Sequence, residues 1–351
     1  MPGLLSGHGG ILIPGQDIKT ISAILCAYTE DRWGLLKEAV RSIRAQTSPP
    51  DEIILVIDHN PALFARSKSE FPDLIVAENA FSQGLSGARN TGIGLASGEI
   101  VAFMDEDAAA DPGWLAELMP AYQDPSVLGA GGAILPAWGE PPPGWFPGEF
   151  LWVVGCTYRG LPEGTHPIRN LIGCNMSFRK EVFEQAGGFR EGMGRIGLIP
   201  VGCEETELCI RANRNDPRGA FLYVPASTVR HHVPANRMTF RYFSQRCYSE
   251  GLSKALVAKY VGASRGLSSE RAYTFRVLPH GIAAGLRDAF LHREPAGVGR
   301  SAAILWGLAL TTAGYLAGKI AGLTRPGENS KSDRPEVLFP QRLKDRTGEK
   351  Y

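Results

Sequence analysis

Three short apolar runs do most to limit what this chain can fold into. "AILCA" (23–27), "IILVI" (53–57) and "IVAFM" (100–104) contain no polar residue, and the last two end on acids, Asp58 and Asp105. A strand with one wet face alternates polar and apolar residues, whereas a strand buried on both faces does not. The runs therefore read as strands of a mostly parallel sheet covered by helices on both sides. Between the first two, "DRWGLLKEAVRSIRAQ" (31–46) places Leu35, Leu36, Ala39, Val40 and Ile43 on one helical stripe. "DLIVAENAF" (73–81) reads as a shorter strand and "GLSGARNTGIGLASG" (84–98) as a small-residue helix ending at Gly98. Another helix is expected from Asp111 as N-cap and Pro112 as first helical residue. Ligands of such sheets bind beyond the carboxyl ends of the strands. Tyr28, Thr29, Glu30, Asp58 and the triplet Asp105, Glu106, Asp107 are thus expected to share one polar, acidic crevice.

From 136 to 169 the periodicity dissolves into an aromatic, Pro-rich stretch, "PPPGWFPGEFLW" (141–152). Order returns with a strand and short helix in 170–189 and a helix in 204–214 with Leu208 and Ala212 inward. A strand in 221–234 and a long helix in 240–262 follow. The expected organisation is a loose segment 1–18, one catalytic-type domain 19–262, a helical region 263–325 and a polar tail 326–351. Lys plus Arg (37) nearly equals Asp plus Glu (36), which gives no reason to expect a nucleic-acid partner. The six cysteines form no C-x-x-C pair, so reduced, buried thiols are expected and zinc is not. Met1 to Gly10 has neither a basic start nor a long apolar run, so no secretory leader is expected.

Three adjacent carboxylates repel one another and need neutralising. An extended Asp-x-Asp puts Asp105 and Asp107 on one side, where a hard cation such as Mg2+ or Mn2+ takes carboxylate and phosphate oxygens together. Acids solvated at a helix start are the plain alternative.

The run as a whole resembles the family 2 glycosyltransferases, of GT-A fold. The resemblance is carried, in the family's order, by "AILCAYTEDRWGLLKEAVRSIRAQ", "IILVID", "GLSGARNTGIGLASGEIVAFMDEDA", "GCNMSFRKEVFEQAGGF" and "CEETELCIR", and covers about residues 20 to 235. It implies a nucleotide-diphosphate sugar donor, a divalent cation (Mn2+ or Mg2+) and transfer with inversion. Ala27, Tyr28 and Glu30 would then hold the nucleobase, and Asp58 the base or ribose. Arg89 would lie near the base and diphosphate. Asp105 would meet ribose or metal, and Asp107 would be the main metal ligand. His231 of "VRHHVP" would complete the metal shell or touch the diphosphate, with His232 pointing oppositely. Asn175 and Met176 would lie under the donor sugar and acceptor. "EET" (204–206) stands where the family has Glu-Asp, which points to Glu205 as the base and leaves Glu204 open.

Without the resemblance, the residues allow plainer roles. Glu204, Glu205 and Glu207 also suit a helix N-terminus. Arg211 suits an i,i+4 salt bridge to Glu207, and only otherwise, with Arg214 and Arg230, phosphate binding. Trp145, Phe146, Phe150 and Trp152 suit either a lid or a loop pinned to the core. In the C-terminal region, 273–293 reads as an amphipathic helix. The uncharged stretch 301–318, bounded by Arg300 and Lys319, is at the short limit for a membrane span. It can span the bilayer, lie on it, or be a buried helix or dimer contact; membrane association of some kind is expected. The resulting expectation is a glycosyltransferase in cell-envelope or polysaccharide assembly, cytoplasmic at the inner membrane face. A UDP-sugar is the expected donor, with GDP- and dTDP-sugars open, and the acceptor is a glycan or lipid-linked. The competing readings are a non-catalytic GT-A scaffold and a nucleotidyltransferase. The latter lacks its Gly-rich, basic loop here, where "AYTEDRW" follows the first strand.

Overall fold

The computed structural model describes residues 19–193, 202–262 and 268–324. The segment 1–18 and the tail 326–351 lie outside the described residues. In chain order the first half is β1 (Ile21–Ala27), α1 (Trp33–Arg44), β2 (Glu52–Ile57), α2 (Pro61–Glu70), β3 (Ile75–Glu78), α3 (Leu85–Leu95) and β4 (Ile100–Asp105). Strands β3, β2, β1 and β4 are parallel neighbours in that order. Side chains alternate between two cores. Ala23, Leu25 and Ala27 join one with the α1 stripe, while Ile24 and Cys26 join the other with α3. Burial on both faces is the reason these runs are continuously apolar.

The second half is β5 (Ala108–Ala110), α4 (Trp114–Leu118), β6 (Val127–Trp138), β7 (His166–Ile168), β8 (Asn175–Arg179), α5 (Lys180–Ala186), α6 (Glu204–Asn215) and β9 (Ala220–Val233). The sheet order is β3-β2-β1-β4-β8-β6-β9-β5, with β7 on β9. Strands β1–β4, β6 and β9 run one way, and β5, β7 and β8 the other. The mostly parallel sheet is therefore as expected.

Strands β5 and β7 fall where no strand is expected, and three further elements differ. Helix α2 stands where none was read, although Asn60 caps it through Leu63 N (3.0 Å) and Pro61 opens it. Strand β6, "VLGAGGAILPAW", is too rich in small residues to read as a strand. Its smallness is required: a Cβ at Gly132 would collide with the Ser227 carbonyl of the neighbouring β9. Helix α4 begins at Trp114 rather than Pro112. Trp114 N donates to Asp111 O in a turn, and the Asp111 carboxylate pairs with Arg230 at 2.9 Å instead of capping.

After β9 come α7 (Phe240–Val261), α8 (Ser268–Ala272), a π-helical stretch Tyr273–Val277, α9 (Leu278–Leu291) and α10 (Ala296–Thr324). Helix α10 contains the uncharged 301–318 stretch. Among the described residues it is the one helix long and apolar enough to cross a membrane by length and composition. It lies along α7, and the two backbones touch. A Cβ at Gly251 would run into the Thr311 carbonyl, and one at Gly314 into that of Tyr248. Gly314→Leu should therefore force the helices apart and destabilise the fold by about 1–3 kcal/mol. The expected reading is a lower Tm than wild type by calorimetry, and an unchanged Tm would show that the seam tolerates a side chain.

Candidate active site

Strand register gathers the polar residues. In the β1–β4 pair Cys26 stands opposite Asp105, so Ala27 and Tyr28 emerge beside the acidic triplet. Asp58 N donates to Ala27 O (2.8 Å), which brings the end of β2 to the same place. Strand β5 follows the triplet at once and pairs with β9, Ala108 opposite His231, while His232 N donates to Asp107 O at 2.8 Å. That pairing delivers His231 to Asp107, 3.2 Å from Nε2 to Oδ1. Helix α6 aims its N-terminus, with Glu204 and Glu205, at the same cleft. The cleft is about 920 Å3 and is lined by Tyr28, Asp58, Arg89, Asp105, Asp107, Glu205 and His231 among others.

Six carboxylates meet here, and arginines from separate elements compensate them. Arg32, just before α1, lies 2.7 Å from Glu106 and 3.1 Å from Asp107. Arg237, beyond β9, lies 3.5 Å from Asp107. Arg89, wholly inside α3, contacts Glu204 at 2.7 Å and Asp105 at 3.4 Å. Burial works against the charge on Asp107, yet His231, Arg32 and Arg237 hold its carboxyl well below the usual range. Burial and Asp107 push Glu106 up to about 7, against the pull of Arg32. Glu205 differs from Glu204. It has no ion-pair partner among the described residues, and burial together with Glu204 pushes its carboxyl up to about 8.

Two strained residues flank these acids. His59, next to Asp58, has φ 52°, and Cys203, next to Glu204, has φ 71°. Left-handed backbone at a non-glycine residue is costly and concentrates where surrounding structure enforces a geometry. Asp58 itself is spent on the turn before α3, accepting from Gly84 N (2.9 Å) and Asn79 Nδ2 (2.7 Å).

A metal would find suitable ligands. One atom each of Asp105, Asp107 and His231 lies within 4.8 Å of the others, and the buried His231 Nδ1 has no hydrogen-bond partner among the described residues. Two carboxylate oxygens and an imidazole suit Mn2+ or a similar divalent ion.

The structure thus brings Ala27, Tyr28, Asp58, Arg89, Asp105, Asp107, Glu204, Glu205 and His231 to the cleft. It keeps three expected contacts away, Asn175, Met176 and Glu30, and Met176 is fully buried in β8. Asn175 is fully buried within the sheet, its amide bonded to Trp114 Nε1, Ala133 O and Ser227 O. Glu30 is exposed and faces Arg66 at 3.7 Å. Arg211 forms the i,i+4 bridge to Glu207 (2.8 Å), and Arg214 and Arg230 do not line the cleft. Trp145 and Phe146 pack on Phe243 as a pinned loop, while Phe150 and Trp152 reach the cleft wall. Sequence reading missed Arg32 and Arg237. Arg32 sits in "TEDRW", immediately after a strand end, which is a usable signal; Arg237 has none.

The model for "Glycosyl transferase family 2" matches residues 22–187. A glucosyl-dolichyl phosphate glucuronosyltransferase of Haloferax volcanii is 33% identical over 241 residues, covering 68% of this chain and 77% of the relative. The succinoglycan biosynthesis protein ExoM of Rhizobium meliloti is 24% identical over 236 residues, covering 65% and 71%. Among solved structures, the mannosyltransferase PcManGT of Pyrobaculum calidifontis, in complex with GDP-Man and Mn2+, superposes with a TM-score of 0.52 at 17% identity, covering 84% of this chain and 87% of that one. GalNAc-T7 with UDP, GalNAc and Mn2+ gives a TM-score of 0.50 at 18% identity, covering 74% of this chain and 52% of that one. At such identities the structures speak for the fold alone, and that fold is GT-A. Fold, motif order and sequence similarity agree: the chain belongs to glycosyltransferase family 2.

Proposed function

We propose that the protein is an inverting, metal-dependent glycosyltransferase that moves a sugar from a nucleotide-diphosphate donor, a UDP-sugar by preference, to an acceptor hydroxyl. The observation that carries this reading is Glu205, a carboxylate facing the cleft with no ion-pair partner among the described residues, beside a Glu204 already committed to Arg89. Glu205 is accordingly the base and Glu204 the residue that fixes Arg89. The acceptor oxygen attacks the anomeric carbon, the bond from that carbon to the diphosphate oxygen breaks, and the acceptor proton passes to Glu205. Tyr28, exposed at the cleft mouth with the Arg32 guanidinium 5.4 Å from its ring centre, offers a stacking face for the nucleobase. Arg89 sets the spacing between Asp105 and α6. A divalent cation held by Asp105, Asp107 and His231 would offset the negative charge of the leaving diphosphate.

The acceptor on this reading is a lipid-linked glycan. Work takes place at the cytoplasmic membrane face, in envelope or polysaccharide assembly, and residues 263–325 adjoin the catalytic domain 19–262. The names of the relatives, one acting on a dolichyl phosphate sugar and one in succinoglycan biosynthesis, support that direction. So does the apolar exposed side of α10, with Leu305, Trp306 and Leu316, bounded by the exposed Lys319.

Glu205→Gln should lower transfer roughly 100- to 10,000-fold while nucleotide binding persists; transfer at the wild-type rate would remove Glu205 as the base. Since the base works deprotonated and its carboxyl is pushed up, kcat/KM should rise with pH and level off above about 8. A flat profile from pH 6 to 9 would contradict that assignment. In a thermal-shift panel of UDP, GDP, dTDP and CDP with and without Mn2+, one nucleotide should stabilise only with the ion. The stabilisation is about 2.7 kcal/mol at a hundred times Kd, and Asp107→Ala should abolish the ion-dependent part. No shift with any nucleotide, together with no donor hydrolysis, would favour a binding scaffold instead.

A further inference from the structure

The cleft is longer than the site just described, and its second half has the opposite charge. Toward the strand ends it is lined by Asp58, Asp105, Glu106, Asp107, Glu204 and Glu205. Beyond Cys203 the charged lining becomes Arg169, Arg246, Glu250, Lys254, Glu270 and Arg276, four cations against two anions, a surplus of two positive charges. The carboxylates here are already engaged. Glu270 lies 2.6 Å from Arg169 and 2.8 Å from Lys254, and Glu250 lies 3.1 Å from Lys254 and also feels the charge of Arg246. Both acids are held below their usual range, burial notwithstanding, chiefly by Lys254. They therefore stay charged and spent near neutrality, and the positive surplus persists.

Two further observations fix where this half leads. It begins next to the base, because Cys203 immediately precedes Glu204 and its Sγ lies 3.5 Å from Glu250. Its far wall comes from α10, through Leu308, Thr311 and Tyr315, and from the π-helical stretch that carries Arg276. Next to this wall α10 turns an exposed, mostly apolar side to the surface, with Leu305, Trp306 and Leu316. The base, the cationic group and one side of α10 therefore line the same cleft.

We propose that this half of the cleft is a subsite for an acceptor with a phosphate next to an apolar chain, the phosphate held by Arg246 and Arg276 and the chain laid against α10. The inference rests on the glycosyltransferase reading for its biological sense, but the binding can be measured without it. An arginine recognises phosphate through charge-assisted, often paired hydrogen bonds. The Arg169–Glu270–Lys254–Glu250 cluster, neutral in sum, keeps the C-terminal segment in place so that Arg276 can take part.

The test is isothermal titration of the full-length chain with farnesyl phosphate, farnesol and inorganic phosphate, at saturating Mn2+ and nucleoside diphosphate. Farnesyl phosphate should bind at least about tenfold tighter than either partial probe. Arg276→Ala and Arg246→Gln should each remove most of that preference, with nucleotide Kd and donor hydrolysis unchanged. Arg246 is half-buried and its variant can fail to fold, whereas Arg276 is exposed, so Arg276→Ala carries the test. Equal affinity for farnesol, equal affinity for inorganic phosphate, or a preference that survives Arg276→Ala would overturn the subsite. If wild-type protein binds no nucleotide, the enzymatic reading fails, and the same titration run without nucleotide still decides the subsite by these criteria.

Discussion

Arg89 is a full guanidinium inside a helix made mostly of small residues, with almost none of its surface reaching water. It touches Glu204 on α6, Asp105 at the end of β4 and the Gly173 carbonyl before β8, and Phe189 stacks below it. Burying such a charge costs several kcal/mol unless partners surround it. Here the partners are the acids that need separating. Burial disfavours the cation, but Glu204 and Asp105 hold it more firmly protonated. Three segments distant in sequence thus come together because each satisfies the same ion. The position of the cleft floor follows from that, and with Arg89 engaged by Glu204 and Asp105, Glu205 is left with no ion-pair partner among the described residues.

The remaining acids are handled in the same way from other directions. Arg32 arrives from the turn before α1 and Arg237 from beyond β9, so the neutralisation of the triplet draws on both ends of the catalytic domain. The compensation of the triplet thus comes from the chain's own arginines, on two sides of the cleft.

The strands were legible because burial on two faces leaves continuous apolar runs, and their acidic ends marked the cleft at once. Helices α1, α3, α6 and α7 followed from apolar spacing and small-residue content. Strand β6 was not legible because it is built from glycine and alanine to let β8 and β9 approach, which erases the usual signal. Helix α2 carries an Asn-Pro start signal but almost no apolar stripe, Leu63 and Ser67 being its buried residues. Within the site, Asp105, Asp107, His231 and Glu205 could be named from motif order, and their convergence depends on a β5–β9 register that spacing alone does not give. Asn175 shows the opposite failure. Its place in the motif suggested a ligand contact, but its amide ties Trp114 to two backbone carbonyls. The C-terminal share of the cleft could not be read at all, because Glu270, Tyr273 and Arg276 reach it through a fold-back that no local pattern encodes.

The glycine seam between α7 and α10 acts as a ruler. Trp306 meets Ser244, Gly314 meets Gly251 and Gly318 meets Ala255, so the two helices run in the same direction. A slide of one turn that brought Thr311 to Tyr248 would put a side chain where Gly314 now sits. The height of Leu308, Thr311 and Tyr315 relative to Glu205 is therefore set by the seam and not by the connection through α8 and α9. Changes of chain length in that connection will alter the connection itself, and the distance from the cleft wall to the base will stay where the seam puts it.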